Sequence, residues 1–361
     1  MSEHFIVYSQ QEYFDDLIKN IEMTKKNDRI AVTTMGFEVT DRNTSSLLTA
    51  IGAAAERGAQ AYLIVDAFSQ IFDAKYRPTG MIPAQLKSRK STAHFGAKTQ
   101  MLDALSSKGV NVTETNTPSA IHIPYAGRSH IKGAVVNDEW RIGGCNLADT
   151  NNLDTMIGGN QLATADFLYA TFQKIAKAGN VRKALGDEDI VWRINESSEL
   201  LIDTGVARQS IIYERALQAI DSAEEWLTLT CQFFPSGKTA RKLAETIARG
   251  VDSYVFFNNA DQSRLGGSIM NALRTASQLS VPKELFRGEL EEGMEFLHAK
   301  ILATEKEAIL GSHNLIQAGV RLGTAEIALH TTDPQTVKRI ALMAHKLASK
   351  SDDPEFLYIH K

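Results

Sequence analysis

The feature that most constrains this chain is a pair of short patterns that occurs twice at one spacing. His130-Ile131-Lys132 is followed by Gly143-Gly144-Cys145-Asn146, and His298-Ala299-Lys300 by Gly311-Ser312-His313-Asn314. His130, Lys132, Asn137, Gly143 and Asn146 map onto His298, Lys300, Glu305, Gly311 and Asn314 with a single offset of 168 residues. A gap-free match of five positions points to internal duplication, which restricts the fold to one plan built twice.

The flanking sequence repeats as well. Phe14, Leu17, Ile18 and Ile21 lie on one helical face, and Tyr213, Ala216, Leu217 and Ile220 repeat that spacing. A β-rich run follows each, at 29–34 and 226–230. A second helix then ends at Arg57-Gly58 and at Arg249-Gly250, where glycine suits the left-handed conformation that closes helices. Short apolar strands at 61–66 and 253–258 come next, of the kind buried in a sheet covered on both faces. Helices around Phe167, Ala170, Thr171 and Ile175, and around Val337 to Leu347, close the two copies. The alternation predicts an α/β fold of two similar sandwich halves, each a mixed sheet flanked by helices.

With 361 residues there is room for two domains at about 150 residues each. The expected division is 1–180 for the first half, 181–210 for a linker or crossover, and 211–361 for the second half. The linker segment turns charged and loses periodicity. Between its Arg-Gly and its His-x-Lys the first copy holds 24 more residues than the second. Residues 75–98 account for them, with Lys75, Arg77, Lys87, Arg89, Lys90 and Lys98 and no acidic residue. That stretch is either a solvated loop or an anion-attracting lip on a site.

Overall charge excludes some classes of function. There are 39 Lys plus Arg against 43 Asp plus Glu, a net of -4, which argues against a surface that binds nucleic acid throughout. Two cysteines, Cys145 and Cys231, can form neither a disulfide framework nor a cysteine zinc cluster. The start, Met1-Ser2-Glu3-His4, lacks a signal-peptide pattern, and charges interrupt every apolar run before the roughly 18 residues of a membrane span. A cytoplasmic location, with peripheral contact at the membrane, is the expectation.

The chemistry follows from geometry. In an extended strand, residues i and i+2 face the same way, so His and Lys of each His-x-Lys project together. An adjacent strand ending in Gly-x-x-Asn delivers a carboxamide beside them, glycine permitting a sharp turn or a close approach. Two imidazoles can serve as nucleophile and general acid near neutral pH. Lysine and asparagine can hold phosphate oxygens and stabilise charge that develops there. The set suits phosphodiester chemistry with no metal and no cofactor.

On these motifs the chain resembles the phospholipase D superfamily, whose mark is a duplicated His-x-Lys-(x)4-Asp followed by Gly-Gly/Ser-x-Asn. Gly-Gly in one copy with Gly-Ser in the other, Arg128 ahead of the first motif and the Arg-Gly helix ends, Ala-x-x-Arg-Gly in the first copy, look most like its bacterial cardiolipin synthase-type branch. The resemblance runs from the first helix to about His330. It implies two halves that share a single active site, with a phosphohistidine formed on one histidine while the other protonates the leaving alcohol and later activates water or an acceptor alcohol. His130 is assigned as nucleophile and His298 as general acid and base, with the reverse kept open. The resemblance also implies a carboxylate after each motif that orients a histidine. Glu326, 28 residues after His298, and Asp154, 24 residues after His130, fit that place.

The chain departs from the family at the motif aspartate, which is Asn137 in one copy and Glu305 in the other. Five residues beyond lysine, this position falls on the opposite strand face and is expected to be structural. His313 is read as a wall of the site or a packing residue, and His94 and His122 as unpartnered surface or core histidines. Cys145 is read as a small buried residue, and Gly158-Gly159 and Gly266-Gly267 as turns without the spacing of a phosphate loop. The function expected is that of a phosphodiesterase or phosphatidyltransferase acting on a phospholipid or other phosphodiester. A nuclease of the same superfamily, with nucleic acid as substrate, and an inactive binding module are the alternatives. Oligomeric state is not legible.

Overall fold

The computed structural model of the chain describes residues 5–67, 89–116, 127–148, 152–258, 288–289 and 295–349. The first half runs β1 (Ile6–Ser9), α1 (Gln10–Glu22), β2 (Arg29–Thr34), α2 (Arg42–Glu56), β3 (Gln60–Asp66), α3 (Arg89–Ser107), β4 (Asn111–Thr115), β5 (Gly133–Val136), β6 (Glu139–Gly143), β7 (Thr155–Gly159) and α4 (Leu162–Ala178). After α5 (Val181–Leu185), β8 (Ile190–Asn195) and β9 (Ser198–Thr204), the plan repeats. The second set is α6 (Ile211–Ser222), β10 (Trp226–Cys231), α7 (Lys238–Ala248), β11 (Asp252–Phe257), β12 (Gly288–Glu289), β13 (Ile301–Thr304), β14 (Ala308–Gly311), α8 (Gln317–Leu322), β15 (Ala325–Thr331) and α9 (Pro334–Ser349).

Two mixed sheets result, ordered β1-β7-β6-β5-β2-β3-β4 and β12-β11-β10-β13-β14-β15-β9-β8. In each, three strands run parallel (β2, β3, β4 and β10, β11, β12) and the next three alternate (β5, β6, β7 and β13, β14, β15). This is the two-halved α/β architecture the sequence predicts. Even small features recur. Arg57 at the end of α2 donates to the carbonyls of Ile21 and Glu22 at the end of α1, and Arg249 at the end of α7 donates to those of Asp221 and Ala223 after α6. Each arginine satisfies carbonyls that a helix terminus leaves without intrahelical partners, so it locks one helix pair of its half.

The segment 181–210 is more than a connection. β8 and β9 form a hairpin, and β9 pairs with β15 along seven residues, from Ala325↔Thr204 to Thr331↔Ser198. Its charged residues obscure the pattern because β8 is an edge strand with one side in solvent, where alternation is weak. Gly158 and Gly159 also differ from expectation. They lie in β7 rather than a turn, and a Cβ on Gly158 would sit 2.4 Å from the Trp140 carbonyl of β6. Of the basic stretch, 68–88 lies outside the described residues. Lys98 is buried, with its ammonium 5.5 Å from the centroid of the Phe37 ring, so it packs under the surface and forms no lip. His122 and Gly266-Gly267 lie outside the described residues, as does the side chain of His94.

Among the described residues, three hydrophobic clusters hold the layers together. One packs α1, α2 and α3 on the first sheet, and one packs α6 and α7 on the second. The central cluster joins both halves, with Trp140, Ile157, Leu168 and Phe172 from the first and Leu297, Leu310, Ile327 and Ile340 from the second. Apolar burial on this scale makes the contact between halves part of the folding core. Among the described residues no helix is long and apolar enough to cross a membrane.

Candidate active site

The two His-x-Lys segments are the extended lead-ins to β5 and β13, and they meet across the junction of the halves. Ser129 and Leu153 form isolated parallel bridges to Ala325 and Leu297 of the other half. His130 N–H donates to the Ala325 carbonyl at 2.8 Å, and His298 N–H donates to the Leu153 carbonyl at 2.9 Å. The backbone just ahead of each histidine is anchored by a buried side chain after the second parallel strand. Asp66 Oδ2 accepts from Ser129 N–H at 2.8 Å, and Asn258 Oδ1 from Leu297 N–H at 2.8 Å. Arg128 completes the first anchor, with Nη1 3.3 Å from Asp66 Oδ1.

This stitching brings six of the expected site residues, His130, His298, Lys132, Lys300, Asp154 and Glu326, to one place. Glu326 Oε2 lies 2.8 Å from His130 Nδ1, and Asp154 Oδ2 lies 2.5 Å from His298 Nδ1. The pairing is crossed, each carboxylate serving the histidine of the other half. Local periodicity carries no signal for such a long-range pairing. Lys132 Nζ donates to its own His130 carbonyl at 3.0 Å, and Lys300 Nζ donates to that of His298. Both lysines are fully buried. The Gly-x-x-Asn turns follow β6 and β14, and Asn146 Oδ1 and Asn314 Oδ1 are buried without a hydrogen-bond partner among the described residues.

Electrostatics sets the protonation states. Burial is the main reason that His130 and His298 are both held at about 4, below an ordinary imidazole, despite the carboxylates beside them. Burial likewise brings Lys132 down to about 7 and Lys300 to about 8, against the opposing pull of the two carboxylates. Burial pushes Glu326 up, but attraction and hydrogen bonding from His130 and the charge of Lys132 outweigh it and leave it at about 2. Asp154 is lowered in the same way, burial being overcome by His298 and Lys300. At neutral pH each imidazole is therefore neutral, with its Nδ1–H on a carboxylate and its Nε2 lone pair free. That is the state a nucleophile requires.

The Gly-Gly and Gly-Ser forms of the motif match the length of the carboxylate. A Cβ at Gly144 would lie 2.1 Å from Asp154 Oδ1, so this short carboxylate occupies the space of a side chain. Glu326 reaches further, and Ser312, at the position of Gly144, donates to Glu326 Oε2 at 2.5 Å while accepting from Ile327 N–H at 3.0 Å. Ser312 was not singled out from the sequence. Its signal was the Gly-Ser form itself.

Asn137 and Glu305 hold no place in this cluster. Asn137 Oδ1 accepts from the N–H of Arg29 at the start of β2, and Glu305 Oε2 from that of Trp226 at the start of β10. Cys145 is buried and its thiol is pushed well above the ordinary range, mainly by burial, in keeping with an inert packing residue.

Two crossed imidazole–carboxylate pairs at the junction of two matching α/β halves define a duplicated, single-site architecture. Residues 216–347 match the family described as "Cardiolipin synthase, PLD-like domain", the direction in which the resemblance carried by the motifs points. No curated protein matches the sequence. Among solved structures, the chain resembles phosphatidylserine synthase of Haemophilus influenzae Rd KW20, with a TM-score of 0.68 and 14% identity, over 97% of this chain and 87% of that one. It also resembles polyphosphate kinase of Porphyromonas gingivalis, with a TM-score of 0.54 and 14% identity, over 96% of this chain and 50% of that one. At these identities the likeness is one of fold.

Proposed function

We propose that the chain is a phosphodiesterase or phosphatidyltransferase that acts on a phospholipid head-group phosphodiester through a phosphohistidine intermediate, without a metal. One observation carries the reading. Two neutral imidazoles, each oriented by a buried carboxylate from the opposite half, converge with two buried lysines on one site. The family matched by residues 216–347 and the phosphatidylserine synthase likeness favour a phospholipid as substrate.

In this reading Lys132, Lys300, Asn146 and Asn314 hold the non-bridging oxygens. The negative charge of the bound diester draws a proton onto His298, which becomes an imidazolium hydrogen-bonded to Asp154. The Nε2 lone pair of His130 attacks phosphorus, the bond to the leaving alcohol breaks, and that oxygen takes the proton from His298. Glu326 stabilises the cationic phosphohistidine. Neutral His298 then removes a proton from water or an acceptor alcohol, whose oxygen displaces His130 and restores the site. In this reading the enzyme works in the cytoplasm and meets its substrate at the membrane surface.

The test is turnover of phosphatidylglycerol, phosphatidylcholine, single-stranded DNA and bis-p-nitrophenyl phosphate by purified protein with chelator present. The expected result is turnover of a phospholipid and of the small diester, abolished by His130→Ala. Turnover of DNA alone would establish the nuclease reading instead. No turnover of any substrate, with wild type equal to His130→Ala, would leave the inactive binding module.

A further inference from the structure

Asn146 and Asn314 match across the duplication, yet their turns are held by different means. In the first half the residue after the asparagine, Leu147, donates its N–H to the Gly36 carbonyl at 3.1 Å and accepts at its own carbonyl from Glu38 N–H at 2.7 Å. The segment after β2 thus clamps that turn through backbone. In the second half Leu315 N–H donates to Nδ1 of His313 at 2.8 Å, and the Leu315 carbonyl accepts from Thr239 Oγ1 at 2.8 Å. Leu315 has φ +52, a left-handed conformation that a leucine rarely adopts and that its surroundings must enforce.

His313 is built for that task. It is buried at 3% exposure, with its ring tilted against Tyr213 at 5.8 Å between centroids. Because Nδ1 accepts, the ring proton resides on Nε2, and burial keeps the ring neutral. Its Nδ1 stands where the Oδ1 of an asparagine would stand in an Asx turn, two residues before the N–H it receives. The matching residue of the first half, Cys145, is too short for this and its turn does not need it.

We propose that His313 is the positioning residue for Asn314: by closing the turn through Leu315 it fixes the carboxamide of the second half against the substrate phosphate. The proposal rests on the phosphodiester chemistry above. It makes the two asparagines separable, one dependent on the segment after β2 and the other on a single imidazole.

The test compares His313→Leu, His313→Asn, Asn314→Ala and the double variant His313→Leu/Asn314→Ala, with thermal midpoints to verify folding. On bis-p-nitrophenyl phosphate, His313→Leu should lower kcat/KM about 10- to 100-fold, part of it as a higher KM, because the displaced carboxamide no longer holds the phosphate. His313→Asn, which keeps the acceptor and loses the ring, should stay within about 3-fold of wild type, and the double variant should be no worse than Asn314→Ala. Equal damage by His313→Asn and His313→Leu would overturn the proposal in favour of ring packing on Tyr213, as would multiplicative losses in the double variant. If His313→Leu does not fold, His313→Cys, the residue of the first half, replaces it.

Binding of inorganic phosphate, measured by titration calorimetry, gives the comparison without turnover. Phosphate bound tightly by wild type and His313→Asn and about 10-fold more weakly by His313→Leu would sustain the proposal even if no diester is cleaved. Equal phosphate binding by wild type and both variants would sink it, and absence of binding to wild type would sink it together with the proposed function.

Discussion

Glu326 Oε2 lies 2.8 Å from His130 Nδ1, although Glu326 stands in the second half of the chain and His130 in the first. Asp154 and His298 repeat the relation in the opposite sense. Glu326→Gln keeps the shape and removes the charge, so kcat should fall by about 10²- to 10⁴-fold. The crossing is visible by NMR of the imidazole nitrogens. Glu326→Gln should perturb the ring of His130 and spare that of His298, and Asp154→Asn should do the reverse.

Activity and stability should move in opposite directions above neutral pH. Lys132, at about 7, and Lys300, at about 8, lose their charge as pH rises, so kcat/KM falls through that range. Both are lowered by burial from 10.5, so the unfolded chain binds more protons than the folded one between about 7 and 10.5. Stability therefore rises with pH there. On the acid side the histidines, lowered by burial from 6.5 to about 4, act with the same sign: stability declines as pH falls from 6.5 towards 4. Denaturant midpoints and kcat/KM from pH 4 to 10 check both limbs. Lys132→Met should abolish turnover.

The two small residues ahead of the asparagines should not be exchangeable. Gly144→Ser places atoms on the Asp154 carboxylate and should cost about 10²-fold or more in kcat, together with a lower thermal midpoint. Ser312→Ala removes one hydrogen bond to Glu326 and should cost roughly 10- to 100-fold in kcat while folding normally. Steady-state kinetics with thermal melts on both variants decides it.

Asn137 should affect stability alone. It occupies the left-handed region, φ +54, in the two-residue turn between β5 and β6, and its amide oxygen accepts from Arg29 N–H. Asn137→Ala should lower the unfolding free energy by about 1–2 kcal/mol, with kcat/KM unchanged within about twofold. Asn137→Asp, the family's own residue, should leave both near wild type.

Much of this was legible in local pattern. The offset of 168 placed His130, Lys132 and Asn146 on the same footing as their second copies. The buried faces of α1 and α6 follow the predicted spacing, with Phe14, Leu17 and Ile21 in one and Tyr213, Ala216 and Ile220 in the other. Asp154 and Glu326 were expected from the resemblance, which implies a carboxylate after each motif. What stayed hidden depends on contacts distant in sequence. The crossing of Glu326 to His130 spans 196 residues, and β9 earns its place only by pairing with β15. His313 gives no sign in the sequence beyond a wall of the site or a packing residue, because its bond to Leu315 arises from a backbone angle that no spacing rule encodes.

The central claim is a covalent phosphohistidine at a site that both halves build, and the most direct measurement is capture of that intermediate. Wild-type protein is mixed with bis-p-nitrophenyl phosphate or phosphatidylglycerol, quenched within one turnover, digested and mapped by mass spectrometry. The account predicts a phosphoryl adduct on the peptide that holds His130, absent in His130→Ala and accumulating in His298→Ala. An adduct on His298 would exchange the two roles, and turnover without any histidine adduct would contradict the account.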